Sequence, residues 1–105
     1  LIGFSNGGYF ITKYINHFKN TKFKGFGINS AGGKISKNKI DLINKNKIPI
    51  FLSVNNNDKY QLEPMREIYS SLKLNNNINY IEINKDNIKD LAEREIDFFI
   101  NSKNK

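Results

Sequence analysis

The first eight residues, Leu1-Ile2-Gly3-Phe4-Ser5-Asn6-Gly7-Gly8, pass from two apolar side chains into a run in which three of six positions are glycine. Such a run reads as a tight turn, because glycine enters the backbone conformations of a sharp reversal without steric cost. Beyond it, Ile11, Tyr14, Ile15 and Phe18 recur at the spacing of one helical face, so the turn leads into a helix reaching about Asn20. Leu1-Ile2 is then the end of a strand. Within the turn, Gly3-Phe4-Ser5-Asn6-Gly7 fits the pattern G-x-S-x-G in the setting that pattern requires, strand before and helix after. A serine there is lifted above the sheet on a strained backbone, and the flanking glycines remove side chains where strand and helix pass closely. The N–H of Asn6, at the positive end of the helix, is the expected donor to an oxyanion forming at Ser5.

Outward from this turn the same alternation continues. Residues 23–29 are short, aromatic and strand-like, and Ser30-Ala31-Gly32-Gly33 closes them with a turn that could also line a site. Residues 34–47 are rich in Lys and Asn and poorly periodic, which predicts a loop or a weak short helix. Ile48 to Val54 is nearly continuously apolar, as in a strand buried on both faces, with Pro49 tolerable at its start. The loop Asn55-Asn56-Asn57-Asp58 follows. Met65, Ile68, Tyr69 and Leu72 then mark a helix from about Gln61 to Lys73, with Pro64 in its first turn, and Asn75-Asn76-Asn77 ends it. A strand over Ile78 to Ile83 precedes a last helix from Ile88 to Ile100, with Leu91, Ala92, Ile96 and Phe99 expected inward and Lys89, Asp90, Glu93 and Arg94 outward. The Lys/Asn tail after Asn101 is expected to fray. Strands alternating with helices require crossovers, so the fold class is α/β, a parallel sheet with helices on both faces.

Composition narrows the function classes. The 105 residues suit a single domain, 1–105. Asn, Lys and Ile number 18, 15 and 16, and the formal charge is +7. Those three amino acids have A/T-rich codons, and the lysines are scattered with only two arginines, Arg66 and Arg94, and no aromatic interleaving. A nucleic-acid interface is therefore not expected, despite the charge. With no Cys and a single His, disulfides, thiol catalysis and a Cys-ligated zinc site are excluded, and no cofactor or metal is expected. No apolar run approaches the roughly 20 residues of a membrane-spanning helix, and no signal-peptide pattern precedes Leu1. A cytoplasmic setting is favoured on that ground. The chain starts inside a strand and reads as cut from something longer.

The Ser-Asn-Gly-Gly turn, the strand ending in Ser-Ala-Gly-Gly, the strand from Pro49 and the acid-bearing loop after it together resemble the C-terminal half of an α/β-hydrolase, the esterase and depolymerase-like members in particular. The resemblance implies a partial α/β-hydrolase fold and a carboxylic ester as substrate. It makes Ser5 the nucleophile on an elbow flanked by Gly3 and Gly7, Asn6 an oxyanion donor, and Asp58, 53 residues on, the acid that orients a histidine. Asp58 also fits a plain Asx turn in an Asn-rich loop.

The family's histidine belongs in the loop between the last strand and last helix, Asn84-Lys85-Asp86-Asn87, where Asn87 stands at the matching position. An amide has no proton equilibrium near neutrality and cannot relay the serine proton. His17 precedes the acid and lies twelve residues beyond Ser5, roughly 18 Å along a helix, so it reads as a solvated or boundary side chain. Two readings follow: a serine hydrolase fragment of low activity, or an inactive relative kept as a binding or interaction module. In either, a preceding N-terminal half or another chain is expected to cover the sheet edge.

Overall fold

The computed structural model describes residues 1–4, 6–17, 25–30, 32–72, 77–84 and 90–102, without the side chains of Asn6 and His17. Four strands, β1 (Ile2–Phe4), β2 (Phe26–Asn29), β3 (Ile50–Asn55) and β4 (Ile78–Ile83), alternate with four helices, α1 (Asn6–His17), α2 (Lys37–Asn46), α3 (Leu62–Leu72) and α4 (Leu91–Ser102). All strand pairs are parallel and the order is β1-β2-β3-β4. Each crossover therefore steps one strand in the same direction, and crossovers of one hand bring α1, α2 and α3 to the same face.

The two faces have unequal cores. On the α1–α3 face, Ile11, Ile15, Ile43, Met65, Ile68 and Leu72 pack on Phe26, Ile28, Ile50, Leu52 and Val54. On the other, Phe51, Ile83 and Leu91 gather with Ile81, Phe98 and Phe99 under α4. β3 is the central buried strand, with Ile50 to Val54 all buried, which is why its sequence runs apolar instead of alternating. Asn77, itself buried, fixes the start of β4: its carbonyl accepts from the Ile50 N–H at 3.0 Å and its amide donates to the Lys47 carbonyl at 3.2 Å.

Gly25 and Gly27 of the segment Gly25-Phe26-Gly27 present no side chain to α4. A Cβ at Gly25 would lie 2.7 Å from the Phe99 ring, and one at Gly27 would enter the Glu95 carboxylate. The helix thus beds directly on the β2 backbone, while Phe26 fills the opposite core. α3 is tied to the far edge of the sheet through Arg66, whose guanidinium donates to both Glu82 oxygens at 2.7 and 2.9 Å. That guanidinium, with the Tyr80 hydroxyl, which also donates to Glu82, holds the Glu82 carboxyl down to about 2.

One open alternative is decided and two expectations are corrected. Residues 37–46 form a regular helix, because Ile40 and Ile43 turn toward the core and Lys47 ends the helix in the left-handed conformation at φ 52°. In α4 the inward face is Leu91, Glu95, Phe98 and Phe99, whereas Ala92 and Ile96 are exposed, Ile96 by 52 %. The helix follows its 3.6-residue period from Leu91 through a glutamate, which a reading by apolarity alone steps over. The opening turn is also shorter than expected: α1 begins at Asn6 and takes in Gly7 and Gly8. The tail beyond Ser102, the residues Phe18 to Lys24, and the turn residues Asn75 and Asn76 lie outside the described residues.

Candidate functional site

In a parallel sheet every loop following a strand emerges at the same edge. Phe4, Asn29, Ser53 and Ile81 stand side by side in register, so the segments after β1, β2, β3 and β4 all leave from one line across the carboxyl edge. Ser5 itself lies outside the described residues, as does Asn87. The elements around them are defined. One residue separates the end of β1 at Phe4 from the start of α1 at Asn6. Strand and helix pass so closely there that a Cβ on Gly3 would fall into the Gly7 carbonyl and within 2.8 Å of Ile11 Cδ1. Gly7 takes part through its backbone; a Cβ placed on it meets nothing within 4 Å among the described residues.

Asp58 lies half-buried three residues beyond β3. Its Oδ1 accepts from the N–H groups of Tyr60 and Gln61, both at 3.0 Å, and its carbonyl accepts from Leu62 N–H at 3.2 Å, so it caps the start of α3. The Asx-turn geometry is thus present, leaving Oδ2 as the oxygen without a hydrogen bond among the described residues. Two further bonds join the loops. Gln61 Nε2 donates to the Tyr9 hydroxyl at 2.8 Å, linking the residue four beyond Ser5 to the residue three beyond Asp58. The Asn56 N–H donates to the Ile83 carbonyl at 2.9 Å, holding the Asp58 loop against the segment that leads to Asn87. His17 is the last residue of α1, at the end remote from the carboxyl edge.

Beneath this edge lies a polar cluster that the sequence reading passed over. Buried Asn29 donates through Nδ2 to the Gly3 carbonyl at 3.2 Å and to Glu95 Oε2 at 2.9 Å, and it accepts from the Ser53 hydroxyl. Burial pushes the Glu95 carboxyl above its ordinary range, with the Asn29 amide and the amino group of Leu1 pulling the other way. The cluster spans β1, β2, β3 and α4 and fixes the last residues of β1 before Ser5. Its signals in sequence were Ser53 breaking the run Ile50 to Val54, and Glu95 four residues from Leu91 and from Phe99. Ser30, just after Asn29, holds a left-handed φ of 69° and donates its N–H to the Ser53 carbonyl at 2.8 Å.

Among the described residues no three His, Cys, Asp or Glu side chains group as metal ligands, and no helix is long and apolar enough to cross a membrane. No family model, curated protein or solved structure matches the chain. Its architecture is a four-stranded parallel sheet flanked by helices on both sides, a general α/β arrangement.

Proposed function

We propose that the carboxyl edge of the sheet is a carboxylic ester hydrolase site of the α/β-hydrolase type, with Ser5 as nucleophile and Asp58 as carboxylate, and with Asn87 where the base belongs. The observation that carries this reading is the junction of β1 and α1: a single residue, Ser5, connects them, and only glycine at position 3 allows their approach. The Tyr9–Gln61 and Asn56–Ile83 bonds support it, because they tie α1, the Asp58 loop and the end of β4 to one another.

In this reading the Ser5 hydroxyl attacks the ester carbonyl, and the Asn6 N–H at the start of α1 stabilises the oxyanion. Asn87 cannot take the serine proton, so water takes it. A serine hydrolase without its base retains about 10³ to 10⁴ of its acceleration over water, given a complete oxyanion hole. Slow acylation is the expected chemistry. A second reading, an inactive interaction module, is favoured by one observation: Asp58 already has a structural task in capping α3. In both readings a further stretch of polypeptide covers the β1 edge.

A fluorophosphonate probe followed by peptide mass spectrometry tests the proposal. A slow adduct at Ser5, formed faster in Asn87→His, is the expected result. No adduct in either folded protein sinks the hydrolase reading and leaves the interaction module.

A further inference from the structure

Away from the polar cluster, α2 and α3 do not lie flush. Asn44 Nδ2 donates to the Ser71 carbonyl at 3.4 Å, which pins the C-terminal halves of the two helices together. Between them and the loop after β2 lies a cavity of about 350 Å³. This is within the size range of small-molecule sites, roughly 300 to 1,000 Å³. Its floor is apolar, formed by Ile35, Ile40, Ile68 and Leu72, while Lys34 and Lys37 stand on one wall and Glu67 on the α3 wall opposite.

The loop that forms one side of this cavity is held from α1. The Gly33 N–H donates to Thr12 Oγ1 at 3.0 Å, Asn16 Nδ2 donates to the Lys34 carbonyl at 2.9 Å, and the Ser36 N–H donates to Asn16 Oδ1 at 2.8 Å. Three hydrogen bonds over four residues keep the wall in place without a ligand, so binding costs little ordering of the loop. The two lysines on the loop side and the single acid across from them give the mouth a positive end. An apolar floor below a cationic rim matches a molecule with an alkyl body and an anionic head.

We infer that the cleft between α2 and α3 binds a medium-chain alkyl carboxylate, its chain lying on Ile35, Ile40 and Ile68 and its carboxylate between Lys34 and Lys37. The site is a binding site in its own right and does not depend on chemistry at Ser5. The alkyl chain removes apolar surface of the cleft from water at about 25 cal/mol per Å², and the carboxylate selects the end at which the molecule enters.

Titration of the ¹⁵N-labelled protein with octanoate, and in parallel with octan-1-ol, both below aggregation, tests this. Octanoate should give saturable amide shifts centred on Gly32, Gly33, Ile40 and Ser71. Lys34→Glu with Lys37→Glu, both exposed positions, should weaken octanoate at least tenfold and leave octan-1-ol nearly unchanged. Ser71→Trp, which fills the cleft from an exposed helix position, should abolish binding of both. Shifts centred elsewhere, such as on Ile2, Phe4 and Ile96, overturn the site. Octanoate binding that ignores the double charge reversal overturns the placement of the head.

Discussion

Asp58 holds two tasks that a substitution can separate. As a cap it needs only an acceptor oxygen for the N–H groups of Tyr60 and Gln61; as a triad acid it needs its charge. Asp58→Ala should cost about 1 kcal/mol by chemical denaturation, the usual loss of a helix cap. Asp58→Asn should keep that stability and, in an Asn87→His background, slow probe labelling at Ser5 tenfold or more. Equal labelling in the two proteins would restrict Asp58 to capping. Glu95 presents the opposite case, a charge with little structural use. Its carboxyl is buried and its ionisation is pushed above the ordinary 4.5, chiefly by desolvation. A raised acid contributes stability that is full below the unfolded value near 4.5 and is lost as pH rises through the folded value. Glu95→Gln keeps an oxygen for the Asn29 amide and removes the charge. It should be the more stable protein at pH 8, with the difference closing toward pH 4.5. Urea midpoints across that range check this, and a pH-independent difference would show that ionisation is not the cause.

At the scale of elements, the glycines separate by what stands beside them. Gly3→Ala drives a methyl into the Gly7 backbone carbonyl, which cannot rotate away, and should lose more than about 2 kcal/mol. Gly27→Ala meets the Glu95 carboxylate, a side chain, so its cost should be smaller and should fall further in a Glu95→Ala background. Gly7→Ala meets nothing within 4 Å among the described residues, inside a helix, and should stabilise by about 0.5 to 1 kcal/mol. Thermal unfolding of the three variants gives the order directly, and a destabilising Gly7→Ala would refute the packing described at the β1–α1 junction. These positions also show what the chain discloses by itself. The parallel α/β order was legible because apolar period and turn residues alternate from Leu1 to Ile100. The α2 helix was obscured by its interspersed Lys and Asn, which favour and disfavour a helix in turn; the packing of Ile40 and Ile43 on the core decides it. The inward Glu95 was hidden because its burial depends on the bare β2 backbone across the interface and on Asn29, contacts distant in sequence. The segments of the candidate site could be placed from loop order, whereas the Tyr9–Gln61 bond between them joins residues 52 apart and has no local signature.

The whole molecule leaves the two edges of its sheet unequal. At β4, Asn79 and the Arg66–Glu82 pair put polar and charged groups along the strand. At β1, Ile2 is 44 % and Phe4 52 % exposed, and on the same side of the sheet Ile96 and Ile100 of α4 are also exposed. An edge strand with unpaired backbone groups and apolar side chains is a template for another strand, and charge on the edge is the usual defence. The +7 charge of the chain does little to protect this edge, since none of Leu1 to Phe4 carries a charged side chain. Sedimentation equilibrium of residues 1–105 should therefore show concentration-dependent association that persists in moderate salt, as apolar contact does and repulsion between cationic chains does not. Ile2→Lys with Phe4→Lys should shift the protein to monomer at the same concentrations, while Asn79→Lys at the other edge should leave association unchanged. A wild-type chain that stays monomeric, or an Asn79→Lys variant that dissociates as fully as the double variant, would move the contact away from β1.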